Sequence, residues 1–223
     1  MDIHKPKPWH GVREFLKELG TIVLGVLVAL GAEQAVEWGH HQAEVREARE
    51  ALRTEVADDM TRALRNQRRE GCDQRFLPRY AVWAQGGPLP RTPNNPLLML
   101  TSANWDTVKS GPVAFMPLKE KLAFARFYAS VADYNDMAVR ERSAALRLGE
   151  NFGLKQLGPD DTKSVLKAVA DFMNTENVLI GSANVVQRNG VAAGVTAAPM
   201  PPDIAARLDA FCREAGAPAA PGG

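Results

Sequence analysis

Residues Phe15–His41 read FLKELGTIVLGVLVALGAEQAVEWGHH, and their interpretation decides where the rest of the chain resides. Leu19 to Ala32 is fourteen residues without a charge, about 21 Å at helical rise. Adding the flanks, Phe15 to Val36 gives 22 residues, enough to cross the hydrocarbon when Lys17, Glu18, Glu33 and Gln34 lie near the two interfaces. Trp38 suits an interfacial aromatic belt. The run IVLGVLVAL is apolar on every face, which an ordinary half-buried helix is not. A retained transmembrane helix is therefore the favoured reading. Two rivals stay open. One is a signal peptide with a small-x-small site at Ala29-Leu30-Gly31, opposed by Glu14 and Glu18 in its leading region. The other is a core helix of a water-soluble fold.

Basic residues set an orientation. Lys5, Lys7, Arg13 and Lys17 precede the run, whereas Arg46, Arg49 and Arg53 follow at a greater distance. The expectation is a cytoplasmic N-terminus with the C-terminal domain on the far side of the inner membrane; the bacterial, periplasmic setting is what the family resemblance given below implies. There Cys72 and Cys212 could oxidise to a disulfide. Within the span, Thr21, Gly25, Ala29 and Ala32 form a stripe of small residues that permits close helix–helix approach. Glu33 and Gln34 are intramembrane polar candidates, either solvated at the edge of the span or engaged in helix pairing.

The chain has 223 residues, 45% of them hydrophobic and 24% charged, with net charge +1. That balance is globular and offers no electrostatic footing for nucleic acid. Two cysteines are too few for a disulfide scaffold or a structural zinc site. Plentiful Ala, Leu, Glu and Arg favour helices, and no alternating strand pattern occurs.

Beyond Gly39, the residues Val45, Ala48, Leu52, Val56, Met60 and Ala63 recur every three or four positions on a charged background. This predicts one long helix continuing the anchor from about Arg13 to Glu70. A shorter helix follows over QRFLPRYAVWAQ, then the loop GGPLPRTPNNP, Gly86 to Pro96, which is the clearest boundary. LLMLTSANWDTVKSG reads as a short buried helix holding Trp105 in the core and stopping at Gly111. Pro117 opens a long helix to about Gly149 with Leu118, Leu122, Ala125, Tyr128 and Ala132 inward. The next begins at Pro159-Asp160-Asp161 and stops at Asn189-Gly190, with Val165, Val169, Phe172, Met173, Ile180 and Ala183 inward. The last spans about Asp203 to Glu214, bearing Leu208, Phe211 and Cys212. The expected fold is all-α. Its parts are a cytoplasmic N-terminus (1–14), a transmembrane helix (15–38), a long juxtamembrane helix plus a short one (39–85) and the Pro/Gly loop (86–96). A helical bundle domain (97–214) and a disordered tail (215–223) complete it.

Catalytic patterns are absent. Ser110 lacks the glycines of a nucleophile elbow, and no histidine follows His41 to serve as its base. Asp58-Asp59 and Asp160-Asp161 are adjacent on helices and point about 100° apart, so neither pair converges as an acid and base must. Weak metal candidates are Glu37, His41 and Glu44, at helical spacing i, i+4 and i+7 with His40 nearby. Such a site would need ligands from a partner helix. The reading from residues is a non-enzymatic scaffold or sensory module without cofactor, whose partners are the bilayer and a homo-oligomer or membrane complex. An accessory subunit of a larger complex, or an enzyme of unrecognised type, are the alternatives.

The stretch ELGTIVLGVLVALGAEQAVE resembles the N-terminal segment of a family of uncharacterised bacterial single-pass inner-membrane proteins assigned to a domain of unknown function. Glu18, Gly25, Ala29 and Leu30 match, and Glu33-Gln34 takes the polar-pair position. NWDTVKSGPVAFMPLKEKLAFARFYASV is similar to a second family stretch through Ser110-Gly111 and Tyr128. The start HKPKPWHGVREF and the two cysteines lie outside that pattern. The resemblance implies an inner-membrane anchor and a helical domain, with no active-site residue.

Overall fold

The computed structural model describes residues 11–90, 97–154 and 157–216. Most of the expected Pro/Gly loop (91–96), most of the expected cytoplasmic N-terminus (1–10) and most of the expected tail (217–223) lie outside them. The described residues are helical, with no strand among them. The helices are α1 (Gly11–Phe76), α2 (Pro78–Ala84), α3 (Ala103–Val108), α4 (Leu118–Gly149), α5 (Pro159–Ala192) and α6 (Pro202–Gly216), with a 3₁₀ turn at Pro112–Phe115. The chain divides into two compact units, one ending at Glu47 and one beginning at Ala48.

In the first unit, residues 11–40 are exposed all round the helix, among them Ile22 at 65%, Leu24 at 63% and Val28 at 64%. An 18-residue window here has mean hydropathy 1.8 and none of it is buried within the chain. The segment is thus long and apolar enough to cross a membrane, and none of that window is buried among the described residues, contrary to the core-helix alternative.

The second unit is a bundle of α1 from Ala48 onward with α4, α5 and α6. Side-chain pairs give the directions. Arg49 bonds Glu120 at 2.6 Å and Glu55 accepts from the Tyr128 hydroxyl at 2.7 Å, so α1 and α4 run parallel. Gln67 donates to Asn184 and Gln74 to Asn177, each at 2.8 Å, so α5 is antiparallel to α1. These two amide pairs are seven residues apart on both helices, two turns of matched ridge. The expected apolar stripe of α1 is buried from Val45 to Ala63, with Leu52, Val56 and Ala63 fully so. Gly190 lies where a Cβ would run into the Met60 side chain, so α5 and α1 approach closely there.

Several expectations need correction. α1 does not stop at Glu70 but runs to Phe76, until Pro78, which lacks an amide proton and cannot continue the ladder. α5 passes Asn189-Gly190 and ends at Ala192, two residues before Gly194 at φ +75. The inner face of α4 is offset from the expected one. Leu118, Leu122 and Ala132 are exposed, while Phe124, Phe127, Val131, Tyr134 and Ala138 are buried with Tyr128. Three large aromatics carry more apolar area than the leucines and win the core.

The stretch before Trp105 is not a buried helix. Residues 97–102 are non-helical and α3 is six residues long with no buried side chain. Side chains of the bundle supply the hydrogen bonds this backbone lacks. Asn66 takes both sides of Leu98, donating to its carbonyl at 2.6 Å and accepting its amide at 3.1 Å. Asn135 does the same to Leu100 at 2.9 and 3.0 Å. Asp59 accepts the Thr101 amide, and Glu55 accepts the amide of Asn104 at the start of α3. Primary amides mimic a neighbouring strand, which satisfies backbone that would otherwise be costly to bury. Trp105, only partly buried, stacks on Tyr128 at 5.0 Å.

A disulfide joins Cys72 of α1 to Cys212 of α6 across 140 residues of sequence. It borders a core of Phe76, Tyr80, Trp83, Leu148, Phe172 and Phe211. In the chain-entropy description a loop of this length is worth about 4–5 kcal/mol as an upper figure. Cys212→Ser should lower the unfolding free energy by about 2–4 kcal/mol in urea titration of the detergent-solubilised protein, and reductant should reproduce the loss in the wild type but not the variant.

Asp59 yields a second test. Burial pushes its carboxyl up to about 7, against the Thr101 amide and Arg62, which pull it down, while Glu55 and Asp58 add to the rise. A folded-state pKa above the unfolded value of 3.8 means the native state holds the extra proton between roughly pH 4 and pH 7, so this group's contribution weakens as pH rises through that window. Asp59→Asn, which keeps an acceptor for Thr101, should flatten the decline by about 2–4 kcal/mol at most, read from denaturant midpoints at pH 4.5 and 7.5.

A buried acidic cluster as candidate metal centre

Of the site residues expected from sequence, Thr21, Gly25, Ala29, Ala32, Glu33 and Gln34 are all exposed on α1. Nothing lies within 4 Å of a Cβ built on Gly25. The Thr21 hydroxyl is turned back on its own helix, donating to the Lys17 carbonyl at 2.9 Å. His41 lies between two carboxylates, with Nε2 3.8 Å from Glu37 and Nδ1 3.4 Å from Glu44. Each ring nitrogen faces a different carboxylate, so the three side chains are strung along the helix rather than converging on one point. Asp58 is exposed and Asp59 buried, as their 100° divergence requires. Asp161 accepts the Gly158 amide at 2.9 Å and caps α5. Asp106, near Ser110, is held by Lys109 at 2.7 Å and by the Ser102 hydroxyl at 2.8 Å, a surface cap that leaves Ser110 without a base.

The cluster that does converge was not among the expected residues. Glu70 and Asp73, one turn apart on α1, meet Glu176 of α5, and one ligand oxygen from each lies within 4.8 Å of the others. Glu70 and Glu176 are fully buried and Asp73 nearly so. Glu141 of α4 adds a fourth carboxyl group, and Arg69 pairs with three of the four. Its Nη1 donates to Glu70 Oε1 at 2.8 Å and lies 3.2 Å from Glu141 Oε1, and its Nη2 lies 3.0 Å from Asp73 Oδ2.

Arg69 satisfies one side of the cluster. On the other side Glu70 Oε2 and both oxygens of Glu176 are buried without a donor, and Arg69 Nε also lacks an acceptor. The neighbour Glu176 does have is the carboxyl of Glu70, and two carboxyls bond only when one carries a proton. Burial accordingly pushes both up, with the neighbouring carboxyl groups adding to the rise and Arg69 pulling against it. Asp73 rises to about 6, burial again leading and Arg69 opposing. Burial works against the Arg69 charge, but Glu70, Asp73 and Glu141 more than offset this and fix its proton more firmly than usual. Tyr134 and Arg65 are the other ionisable groups facing the cluster.

Such an arrangement can do two things chemically. It can share protons between paired carboxyls, or hold a cation through oxygens alone. A sequence signal for it existed. Glu176 lies four residues after Phe172 and four before Ile180, on the apolar stripe of α5, and Glu70 lies seven after Ala63 on that of α1. Polar residues in core register are expensive and rarely accidental.

No family model matches the chain, and neither the curated proteins nor the solved structures contain a match to it.

Arg69→Met should be severely destabilising, by about 3–5 kcal/mol in denaturant titration at pH 7, because it leaves buried carboxyl groups without their counter-charge. Arg68→Met, on the exposed side and paired with Asp209 at the surface, should cost under about 1 kcal/mol.

Proposed function

We propose that the chain is a single-pass membrane protein carrying a helical extracytoplasmic module that works by interaction, as a scaffold or sensor, and not by catalysis. One observation carries this reading: a helical stretch apolar on every face, with none of its window buried within the chain. Exposure of Ile22, Leu24, Leu27 and Val28 to water together would cost several kcal/mol, which a lipid environment removes. The Cys72–Cys212 bond supports an oxidising compartment for the module, since cytosolic reductants keep thiols reduced. Lys5, Lys7, Arg13 and Lys17 support a cytoplasmic N-terminus and so an extracytoplasmic module, which is periplasmic in the bacterial inner membrane that the N-terminal resemblance implies. The absence of any histidine after His41 weighs against His-dependent nucleophilic chemistry in the module.

A second reading, an accessory subunit of a membrane complex, draws on the open face at Gly25 and Ala29. Native mass measurement after detergent extraction separates the two: a homo-oligomer fits the first and a stable foreign chain the second. Gly25→Ile should weaken self-association in a membrane two-hybrid assay under the first reading.

The expected outcome for membrane residence is that the full-length protein stays in the pellet through alkaline carbonate washing and enters solution only with detergent. A periplasm-active reporter fused after Gly223 should be active and a cytoplasm-active one silent. Recovery of the intact chain from the soluble fraction without detergent overturns the reading.

A further inference from the structure

We infer that Glu70, Asp73 and Glu176 form a binding site for one hard divalent cation, of the Ca²⁺ or Mn²⁺ type, held between α1 and α5 by carboxylate oxygens alone. Three features of the geometry carry this. The donor oxygens from the three residues lie within 4.8 Å of one another. Two ligands on opposite sides of a Ca²⁺ ion are separated by about twice its 2.3–2.6 Å bond, so the spread fits a single ion. Glu176 is fully buried, and neither of its oxygens, nor Glu70 Oε2, has a hydrogen-bond donor among the described residues. Finally, the charges leave room for a cation: four carboxylates against the guanidinium groups of Arg69 and Arg65 give −2 when ionised, which a divalent ion neutralises. An all-oxygen donor set with no imidazole or thiolate suits hard cations over Zn²⁺ or Cu⁺.

The site clamps two antiparallel helices two turns or less from the Gln67–Asn184 and Gln74–Asn177 pairs. Occupancy therefore reads out as stability of the bundle and is independent of any reading of the anchor. Ions bound by extracytoplasmic modules work at Kd of about 10⁻⁴ to 10⁻³ M, and that range is expected here.

The test uses the full-length protein in detergent, stripped with chelator and passed into metal-free buffer. Mn²⁺ alone and Ca²⁺ alone are titrated by calorimetry at pH 8, with the thermal midpoint followed in parallel. The expected result is one ion per chain and a midpoint raised by about 5–10 °C at a hundredfold excess over Kd. Glu176→Gln keeps the shape and removes a ligand charge. It should fold, with an unchanged helical circular dichroism spectrum, and lose at least about a hundredfold in affinity. Glu37→Gln and Glu44→Gln should bind as the wild type does. No binding by wild-type protein at about 10 mM of either ion, ten times the top of the expected range, overturns the inference and leaves a proton-sharing carboxyl pair in its place. Binding that survives Glu176→Gln, binding lost in Glu37→Gln or Glu44→Gln, or binding of Zn²⁺ without Ca²⁺ or Mn²⁺ also overturns it.

Discussion

Charge buried at the junction of α1, α4 and α5 is the constraint around which the bundle is organised. A carboxylate taken out of water loses several kcal/mol of hydration, and the loss is recovered only by well-placed donors or counter-charge. Arg69 supplies hydrogen bonds to Glu70 and Glu141 and counter-charge to these two and Asp73, and so determines which turns of α1 and α4 face each other. Glu176 receives no hydrogen bond from a donor among the described residues. The helices could have been packed with leucine at these positions at lower cost, which is why the cluster points to a task beyond holding the fold together.

Further along α1 the same economy of polar atoms is put to a different use. Glu55, Asp59 and Asn66 are buried on the face that carries Leu52, Val56 and Ala63. Each spends its acceptors on the non-helical segment between the 91–96 stretch and α3. With Asn135 of α4, they convert a piece of backbone with no ladder of its own into a satisfied layer against the bundle. The far end is closed differently. There the Cys72–Cys212 bond, the stacked rings of Tyr80 and Phe152 and the Arg79 bond to the Ala215 carbonyl hold α2 and α6 in place. One long helix thus serves as the template for every other element of the second unit.

The two ends of α1 obey opposite rules. From Ala48 onward the helix buries one stripe and exposes charge on the rest, the pattern of a protein core. Between Ile22 and Leu30 it is apolar all round and exposed among the described residues. Residues of the same type, valine and leucine, therefore lie at 0% exposure at Leu52 and Val56 and above 60% at Leu24 and Val28. Hydrophobicity alone does not distinguish them. The spacing of charge between them does.

That spacing is what the amino-acid sequence determined by itself: the all-α class, the long first helix, the proline-opened starts of α4 and α5, and the inner stripe of α5. Such features depend on local chemistry, namely the 3.6-residue period, the missing amide of proline and the preference of acids for helix N-termini. Only the tertiary structure decided the rest. The face of α4 was settled by competition among Phe124, Phe127 and Tyr134 against Leu118 and Leu122, a contest of area that depends on what lies opposite. The extended segment before α3 owes its shape to Asn66 and Asn135, 69 residues apart in the chain. The acidic cluster brings together residues up to 106 positions apart, Glu70 to Glu176. Each looks like an ordinary charged helix position until three helices enclose them and water, which had been screening their charge, is gone.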